Sequence, residues 1–423
     1  MPTSSSSAAA AAAARRRWRL AAAAATAVLA GCAMVAPQPA ERPASEAQSL
    51  DDAVASLTTK LLARAQIDPA EKRVLVVDPM IDRASGNQTA VTRAMEPRVV
   101  RTVSQHYPRI EAMPFTLASL DRQPIVLVGC TTPVAAPGTA MPPTGGRAFA
   151  YPIWASIADL RTGKFVSREA VAWMRPEDVD MSPTLFFRDS PVWTLSGGMG
   201  AHLQACAGDL GDTVSPAYLN SIRAGAAMND AITAYENGRY ADALALYTQA
   251  SQLPGGDQAR VWNGIYLSNV AMSRPQEAED AFGRMVDLAL TSGFLSVKFV
   301  FRPYSVEFWS DKAVSGQYPV WLRQIALRSS ARSTCLLLIG HTSPTGPPAA
   351  NDALSERRAE HVRNQLVQRA PSLRTRTEAQ GRGARELIVG TGKDDWTDLL
   401  DHRVEFEPHP CGGLESDPPP DRT

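Results

Sequence analysis

The first thirty-two residues constrain this chain most, because they decide the compartment in which the rest of it folds. Arg15, Arg16, Arg17 and Arg19 form a basic stretch, and an apolar segment over residues 20–30 follows it. That segment has the length of the apolar part of a secretory signal and is too short to cross a membrane as a helix. No later stretch contains about eighteen consecutive apolar residues. We therefore expect the remaining chain to be exported and to fold in an oxidising compartment.

The apolar segment ends in Leu29-Ala30-Gly31-Cys32, which resembles the lipobox of bacterial lipoproteins. The resemblance implies a signal peptide over residues 1–31, cleavage before Cys32 and attachment of lipid to that cysteine. A Pro/Ala/Glu-rich tether over residues 32–49 follows. In that family an aspartate after the cysteine retains the protein at the inner membrane. Ala33 stands there instead, which implies a lipid anchor on the periplasmic face of the outer membrane. The alternative is an ordinary secretory signal in which Cys32 is incidental.

Export also bears on the four cysteines that remain after Cys32, which are Cys130, Cys206, Cys335 and Cys411. Four cysteines allow three pairings, and two disulfides that each stay within one domain are the simplest arrangement. Cys335 opens a predicted strand and Cys411 lies just past the last one, so the two can bond if those strands are antiparallel. The alternative is that some of the four are buried free thiols.

Residues 50–193 predict a mixed α/β domain, because helical and strand patterns alternate along them. In chain order the predicted elements are a helix over 50–66, a buried strand over 73–78, a helix over about 89–107, strands near 110–115 and 124–130, and a hairpin of strands 148–160 and 164–173 that turns at 161–164. Pro97 predicts a kink or a break in the second helix. Ser85-Gly86-Asn87 is expected to be a plain loop, since a phosphate-binding loop needs a lysine and repeated glycines.

The order of these elements resembles the small domains of envelope lipoproteins related to the N-terminal domain of TolB and to the penicillin-binding-protein activator LpoB.

The next segment, residues 215–290, is predicted to be helical. Small and aromatic residues recur there at a spacing of about thirty-five, a period similar to that of tetratricopeptide repeats. Such repeats present a concave face to a partner. The alternative is a helical spacer between two domains.

Residues 293–410 carry the most specific pattern in the chain. The predicted elements are strands at 297–301 and 305–308, a helix near 318–330, a strand at 334–339, a helix from Leu354 to about Arg369, a strand end at 379–383 and a last strand at 402–407. Gly340-His341-Thr342 follows the strand at 334–339. The patterns G-H-T, N-x-x-L-S-x-x-R-A-x-x-V, G-x-G and R-V-E occur in that order, and together they resemble the OmpA C-terminal domain of peptidoglycan-associated proteins.

The resemblance implies a βαβαβ domain that grips the diaminopimelate of the peptidoglycan stem peptide. Arg358 is the arginine that contacts the ligand in the family, and Asn351 and Thr342 belong to the same pattern. The residues themselves point the same way: Ser355 is a good N-cap, and an arginine in the first turn of a helix favours a nearby anion. The alternative is a merely solvated Arg358.

One position departs from the family pattern. Ser343 stands where an aspartate would pair with the ammonium group of the ligand, and a serine offers only a neutral hydrogen bond, about half as strong. Asp311 is the nearest candidate for a substitute carboxylate. His402 replaces a usual arginine, although Arg403 is kept. Peptidoglycan binding is thus expected, and the alternatives that Ser343 leaves open are that binding is weakened, altered or lost.

Other classes of function lack support in the sequence. Lys+Arg and Asp+Glu both number 43, and this balance argues against a nucleic-acid-binding protein. The six histidines are scattered, and no nucleophile elbow, HExxH or Cys/His cluster occurs. We therefore predict no catalytic activity, no metal and no cofactor.

The sequence thus predicts a multidomain protein of class α/β and α. Its predicted parts are a mixed α/β domain (50–193), a short helical-repeat segment (215–290), an OmpA-like domain (293–410) and a disordered tail (411–423). We predict an outer-membrane lipoprotein that anchors to peptidoglycan and presents its other domains to an unidentified envelope protein. The alternative is an assembly or regulatory factor whose OmpA-like domain has become a protein-binding module.

Overall fold

A computed structural model describes residues 47–134, 149–193, 197–388, 390, 398 and 400–411. Cys32, the predicted signal peptide, nearly all of the predicted tether and the tail 412–423 lie outside these residues. Within the described part of the chain, no helix is both long and apolar enough to cross a membrane.

The α-helices are α1 (Leu50–Ala63), α2 (Ala90–His106), α3 (Leu117–Leu120), α4 (Leu185–Asp189), α5 (Gly197–Cys206), α6 (Pro216–Glu236), α7 (Tyr240–Gln252), α8 (Ala259–Ala271), α9 (Pro275–Thr291), α10 (Lys312–Ser315), α11 (Tyr318–Ser330) and α12 (Pro348–Arg369). The strands are β1 (Arg73–Val77), β2 (Ile81–Asp82), β3 (Ile110–Met113), β4 (Ile125–Thr131), β5 (Tyr151–Asp159), β6 (Lys164–Phe165), β7 (Ala170–Met174), β8 (Val192–Trp193), β9 (Leu295–Lys298), β10 (Cys335–His341), β11 (Thr377–Gly383) and β12 (Arg403–His409). Short 3₁₀ helices cover Pro176–Asp178 and Pro371–Leu373.

The first sheet has the order β3-β1-β4-β5-β6, with β2 paired to β4 and β7 paired to β5. Strand β1 runs parallel to β3 and β4, whereas β4 and β5 are antiparallel. Every residue of β1 is buried because helices cover both faces of the sheet. Leu75 and Val77 face the core shared with α1 and α2, and the alternate residues Val74 and Val76 face the core shared with α5 and α6. The predicted α/β layers are therefore present.

Helix α2 passes through Pro97 without a break, so the predicted division of this helix is wrong. Val91 and Met95 before the proline, and Val99 and Val103 after it, are buried in one core. Packing on both sides of Pro97 offsets the single backbone hydrogen bond that the proline removes.

Helices α6 to α9 pack each against the next along the chain. The first half of α6, at Tyr218 and Ile222, belongs to the core of the first sheet. Helices α7 to α9 instead share a core with the second sheet and α11. At that contact the rings of Phe282 and Trp321 stack at 5.8 Å, and Trp321 Nε1 donates to Tyr266 Oη at 2.7 Å. The predicted helical segment thus shares one hydrophobic core with the domain that follows it.

The second sheet has the order β11-β10-β12-β9-β8. Strand β10 is parallel to β11 and antiparallel to β12, and β12 is antiparallel to β9. Strand β8 pairs with β9, although Val192 and Trp193 end the segment predicted as the first domain. The predicted strand at 305–308 is not a strand, since only an isolated bridge joins Phe301 and Phe308.

Cys335 and Cys411 form the predicted disulfide, with their Cα atoms 5.0 Å apart. The antiparallel register of β10 and β12 sets Cys335 opposite His409, two residues before Cys411. Cys130 and Cys206 are unbonded and buried, so the second predicted disulfide is wrong and the alternative of free thiols holds for this pair.

Cys335→Ser should lower the free energy of unfolding by roughly 4 kcal/mol, because the bond closes a loop between residues 76 apart. Urea unfolding measures this loss. A reductant should shift the midpoint of the natural chain to that of the variant and leave the variant unchanged. Equal midpoints for the natural chain with and without reductant would contradict the bond.

Candidate functional site

The loop after β10 lies against the start of α12 and the end of β11. The Thr342 N–H donates to the Gly383 carbonyl at 2.9 Å. The Asn351 side chain donates Nδ2–H to the carbonyl oxygens of Ser343 at 3.4 Å and of Thr345 at 3.2 Å. The structure therefore brings Thr342, Ser343 and Asn351 together at the carboxyl ends of two parallel strands.

Glycines in both strands allow α12 to lie directly on the sheet. A Cβ atom at Gly340 would stand 2.1 Å from the Ser355 carbonyl oxygen, and one at Gly381 would stand 2.6 Å from the Asp352 carbonyl oxygen. Ser355 Oγ accepts the Gly383 N–H at 2.9 Å, which ties the helix to the end of β11. These contacts give a physical reason for the glycines of the G-H-T and G-x-G patterns.

Arg358 does not lie in a first helical turn. Helix α12 begins at Pro348, with Pro347 as its N-cap residue, so Ser355 is an interior residue and not a cap. A proline is favoured at the first helical position because its missing N–H would have no intrahelical partner there. The inference that Arg358 gains an anion from the start of a helix is therefore wrong.

The Arg358 side chain instead joins α12 to the turn that follows β9. Its Nε donates to the Ser305 carbonyl at 3.1 Å and its Nη2 to the Arg302 carbonyl at 3.3 Å. The guanidinium carbon lies 4.8 Å from the ring centroid of Phe301. Only 5% of the residue is exposed. Arg358 is thus a well-oriented cation with a small exposed fraction.

Asp311 is exposed and stands at the start of the short helix α10. Its Oδ1 accepts the Ala313 N–H at 2.9 Å. No contact within the described residues joins Asp311 to Ser343 or Arg358. Its role as a substitute carboxylate stays a prediction.

Arg403 lies inside the domain rather than at the surface. Its Nε donates to Glu405 Oε1 at 2.7 Å and its Nη2 to the Glu386 carbonyl at 3.0 Å. His341 Nε2 lies 3.4 Å from the other Glu405 oxygen. The sequence did not identify Glu405 as the partner of Arg403, or His341 as the other neighbour of that carboxylate. The alternation of β12 was the available signal, since Arg403 and Glu405 share one face of the strand while Val404 and Phe406 share the other.

The buried pair of charges shifts two pKa values. Burial by itself raises the pKa of Glu405, but the adjacent His341 ring and the charge of Arg403 outweigh it and bring the pKa to about 2. Burial lowers the pKa of His341. Both groups therefore resist protonation in the folded domain.

His341, Glu386 and Glu405 each place one possible metal ligand within 4.8 Å of the others. The guanidinium of Arg403 already donates to Glu405, and Arg382 Nη1 donates to Glu386 Oε1 at 2.6 Å. The arginines supply the positive charge that these carboxylates need, so the ion pairs account for the cluster.

Glu405→Gln should make the free energy of unfolding depend less on pH in the acid range. A pKa lowered from its ordinary value of 4.5 to about 2 stabilises the fold above pH 4.5 and ceases to do so as the pH falls to about 2. We expect the variant to lose about 3 kcal/mol at pH 7 and almost nothing near pH 2. Urea midpoints measured across this range test it, with the exposed Glu378→Gln as the matched control. A constant difference between the Glu405 variant and the natural chain at every pH would contradict the assignment.

Residues 321–396 match the sequence model of the OmpA family. Similar solved structures include the peptidoglycan-associated lipoprotein from Burkholderia pseudomallei, at 27% identity over 27% of this chain and 89% of that chain, with a TM-score of 0.23. An outer membrane protein from Borrelia burgdorferi B31 is 21% identical over 27% of this chain and 86% of its own, with a TM-score of 0.21. The periplasmic domain of Helicobacter pylori MotB is 17% identical over 27% of this chain and 73% of its own, with a TM-score of 0.23.

No curated protein matches the chain. The family match covers most of α11 and all of β10, α12 and β11, the elements that position Thr342, Ser343, Asn351 and Arg358. The C-terminal part of this chain is an OmpA-family domain.

Proposed function

We propose that this protein is an outer-membrane lipoprotein that binds peptidoglycan through its OmpA-family domain. The observation that carries the proposal is the family match over residues 321–396, which contains the predicted site residues of the G-H-T strand and α12. The lipid on Cys32 would hold the protein at the membrane, and the domain would hold it at the cell wall. The first α/β domain and α6 to α9 would then face an envelope protein.

The diaminopimelate of a stem peptide offers a carboxylate and an ammonium group. In the proposed complex the Arg358 guanidinium pairs with the carboxylate through charge-assisted hydrogen bonds. Thr342 Oγ1 is buried and has no hydrogen-bond partner within the described residues. A ligand group at this edge would satisfy it, which supports a polar ligand there.

The ammonium group of the ligand has a weaker partner than in the usual family pattern. Ser343 offers a hydroxyl where an aspartate would offer a charge. Asp311 is the proposed substitute, because it is exposed and one of its oxygens is not used in capping α10. Arg403 contributes indirectly in this proposal, since its guanidinium donates to the Glu386 carbonyl and so ties β12 to the segment that follows β11.

Arg358→Ala should weaken sedimentation of the protein with isolated peptidoglycan sacculi by about 1.5–3 kcal/mol, or at least tenfold, because a charge-assisted contact is lost. Arg357→Ala is the matched control, since Arg357 is exposed on the same helix and its removal changes the net charge equally. Thermal unfolding of both variants separates lost binding from lost folding. Equal sedimentation of the folded Arg358 and Arg357 variants would favour the second candidate function. In that function the protein is an assembly or regulatory factor whose OmpA-family domain binds a protein and not the cell wall.

The same assay locates the partner of the ammonium group. Ser343→Asp should tighten sedimentation by a similar factor if the serine leaves the group without a charged partner. Asp311→Ala should weaken it if Asp311 already supplies that charge, and Ser343→Asp would then add little. Binding that responds to neither substitution would rule out both residues as partners of the ammonium group.

Cys32→Ala should move the protein from the outer-membrane fraction to the soluble periplasmic fraction, because each buried CH₂ of a lipid chain contributes about 0.8 kcal/mol to membrane binding. Fractionation with and without digestion of peptidoglycan distinguishes the lipid from the wall as the anchor. Retention of the variant in the membrane after digestion would contradict lipidation at Cys32.

A further inference from the structure

A cavity of about 90 Å³ opens where the first sheet meets the helices that cover its edge. Asp78 follows β1 directly, and Phe115 lies just past β3. The order of the strands reverses at β1, because the chain places β3 on one side of β1 and β4 on the other. In α/β sheets, ligands bind outside the carboxyl ends of the strands at such a point. Residues from α5, α6 and α8 close the cavity, among them Met199, Gly225 and Arg260.

A carboxylate stands on one wall of the cavity. Oδ2 of Asp78 accepts a hydrogen bond from Tyr218 Oη at 2.7 Å and lies 3.2 Å from His202 Nδ1. His202 Nε2 lies 3.2 Å from the Gly129 carbonyl oxygen. Both ring nitrogens thus face acceptors, and only an imidazolium can donate to both. Burial by itself lowers the pKa of His202, but the charge and hydrogen bond of Asp78 raise it overall. Oδ1 of Asp78 has no hydrogen-bond partner within the described residues.

A cation without a carboxylate partner stands on another wall. Arg260 donates Nη2–H to the Gly86 carbonyl at 2.9 Å, and its guanidinium carbon lies 5.1 Å from the ring centroid of Phe187. Within the described ranges no carboxylate forms an ion pair with it. Burial lowers the pKa of Arg260 to about 10, so the side chain is still charged at neutral pH. Such a cation is stabilised by an anion that enters the cavity.

We propose that this cavity binds a free small α-amino acid, with its ammonium group at Asp78 and its carboxylate at Arg260. The volume limits the ligand to a molecule smaller than benzene, because an engineered cavity of about 150 Å³ holds benzene and this cavity is about 90 Å³. Phe115, Met199 and Ile222 give the remaining lining an apolar surface suited to a methyl group. No residue of the OmpA-family domain lines the cavity, so the proposal goes beyond peptidoglycan binding.

Calorimetric titration of the full chain tests the ligand class. Glycine, L-alanine and D-alanine are the probes, and at least one should bind once per chain. Acetate lacks the ammonium group, ethanolamine lacks the carboxylate, and glycylglycine separates the two charges. Each of these three should bind at least about tenfold more weakly than the best amino acid. Acetate binding as tightly as the amino acids would reduce the cavity to an anion site and overturn the proposal, as would the absence of binding by every probe.

Two variants test whether the amino acid binds in this cavity. Arg260→Gln removes the cation, and Gly225→Leu fills the cavity without touching a charged group, since a Cβ at Gly225 meets only the Phe115 ring, at 3.9 Å or more. Each should weaken the best amino acid at least about tenfold. The controls are Gly225→Ala and the exposed Arg274→Gln on the same helical segment, which should bind as the natural chain does. Thermal unfolding identifies any variant that does not fold, and the other variant then decides. Unchanged affinity in a folded Arg260→Gln or Gly225→Leu protein would overturn the assignment.

Discussion

The close approach of α12 to β10 and β11 is the contact on which the C-terminal domain depends. Gly340 and Gly381 face each other across the two parallel strands, and neither position leaves room for a side chain beneath the helix. Because the helix lies so near the strands, Asn351 reaches the loop after β10 and Ser355 reaches the end of β11. Arg358, one turn further along the same buried face, then meets the carbonyls after β9. The position of every predicted ligand-binding residue on α12 follows from those two glycines.

Buried arginine side chains recur in both parts of the structure. Arg358 donates to two backbone carbonyl oxygens and Arg260 donates to one, and each guanidinium lies near an aromatic ring. Arg403 has a carboxylate partner in Glu405 and serves the interior of the domain. A guanidinium that is oriented in advance loses little side-chain entropy when an anion binds. Arg403, whose charge is paired with that of Glu405 inside the domain, is therefore a structural position.

Local patterns in the sequence were sufficient for much of this fold. The apolar run at Cys335 predicts β10, and helical spacing predicts α11 at Tyr318–Ser330, which the structure confirms. The start of α12 was misplaced because Ser355 is a good cap by type, whereas the earlier Pro347-Pro348 pair fixes the helix start. The pairing of Val192 and Trp193 with β9 joins residues about a hundred positions apart, and no local pattern encodes it. The partners of Arg403 and the cavity at Asp78 likewise depend on contacts between distant segments.

The edge formed by β10 and α12 is the proposed binding site for the stem peptide of peptidoglycan. The most direct measurement is the change in backbone amide NMR shifts of the ¹⁵N-labelled protein on addition of a soluble stem peptide that contains diaminopimelate. The proposal predicts saturable shifts centred on Thr342, Ser343 and Asn351, with little change in the first sheet. Shifts confined to the first sheet, or none at all with a peptide that binds other members of the OmpA family, would contradict it.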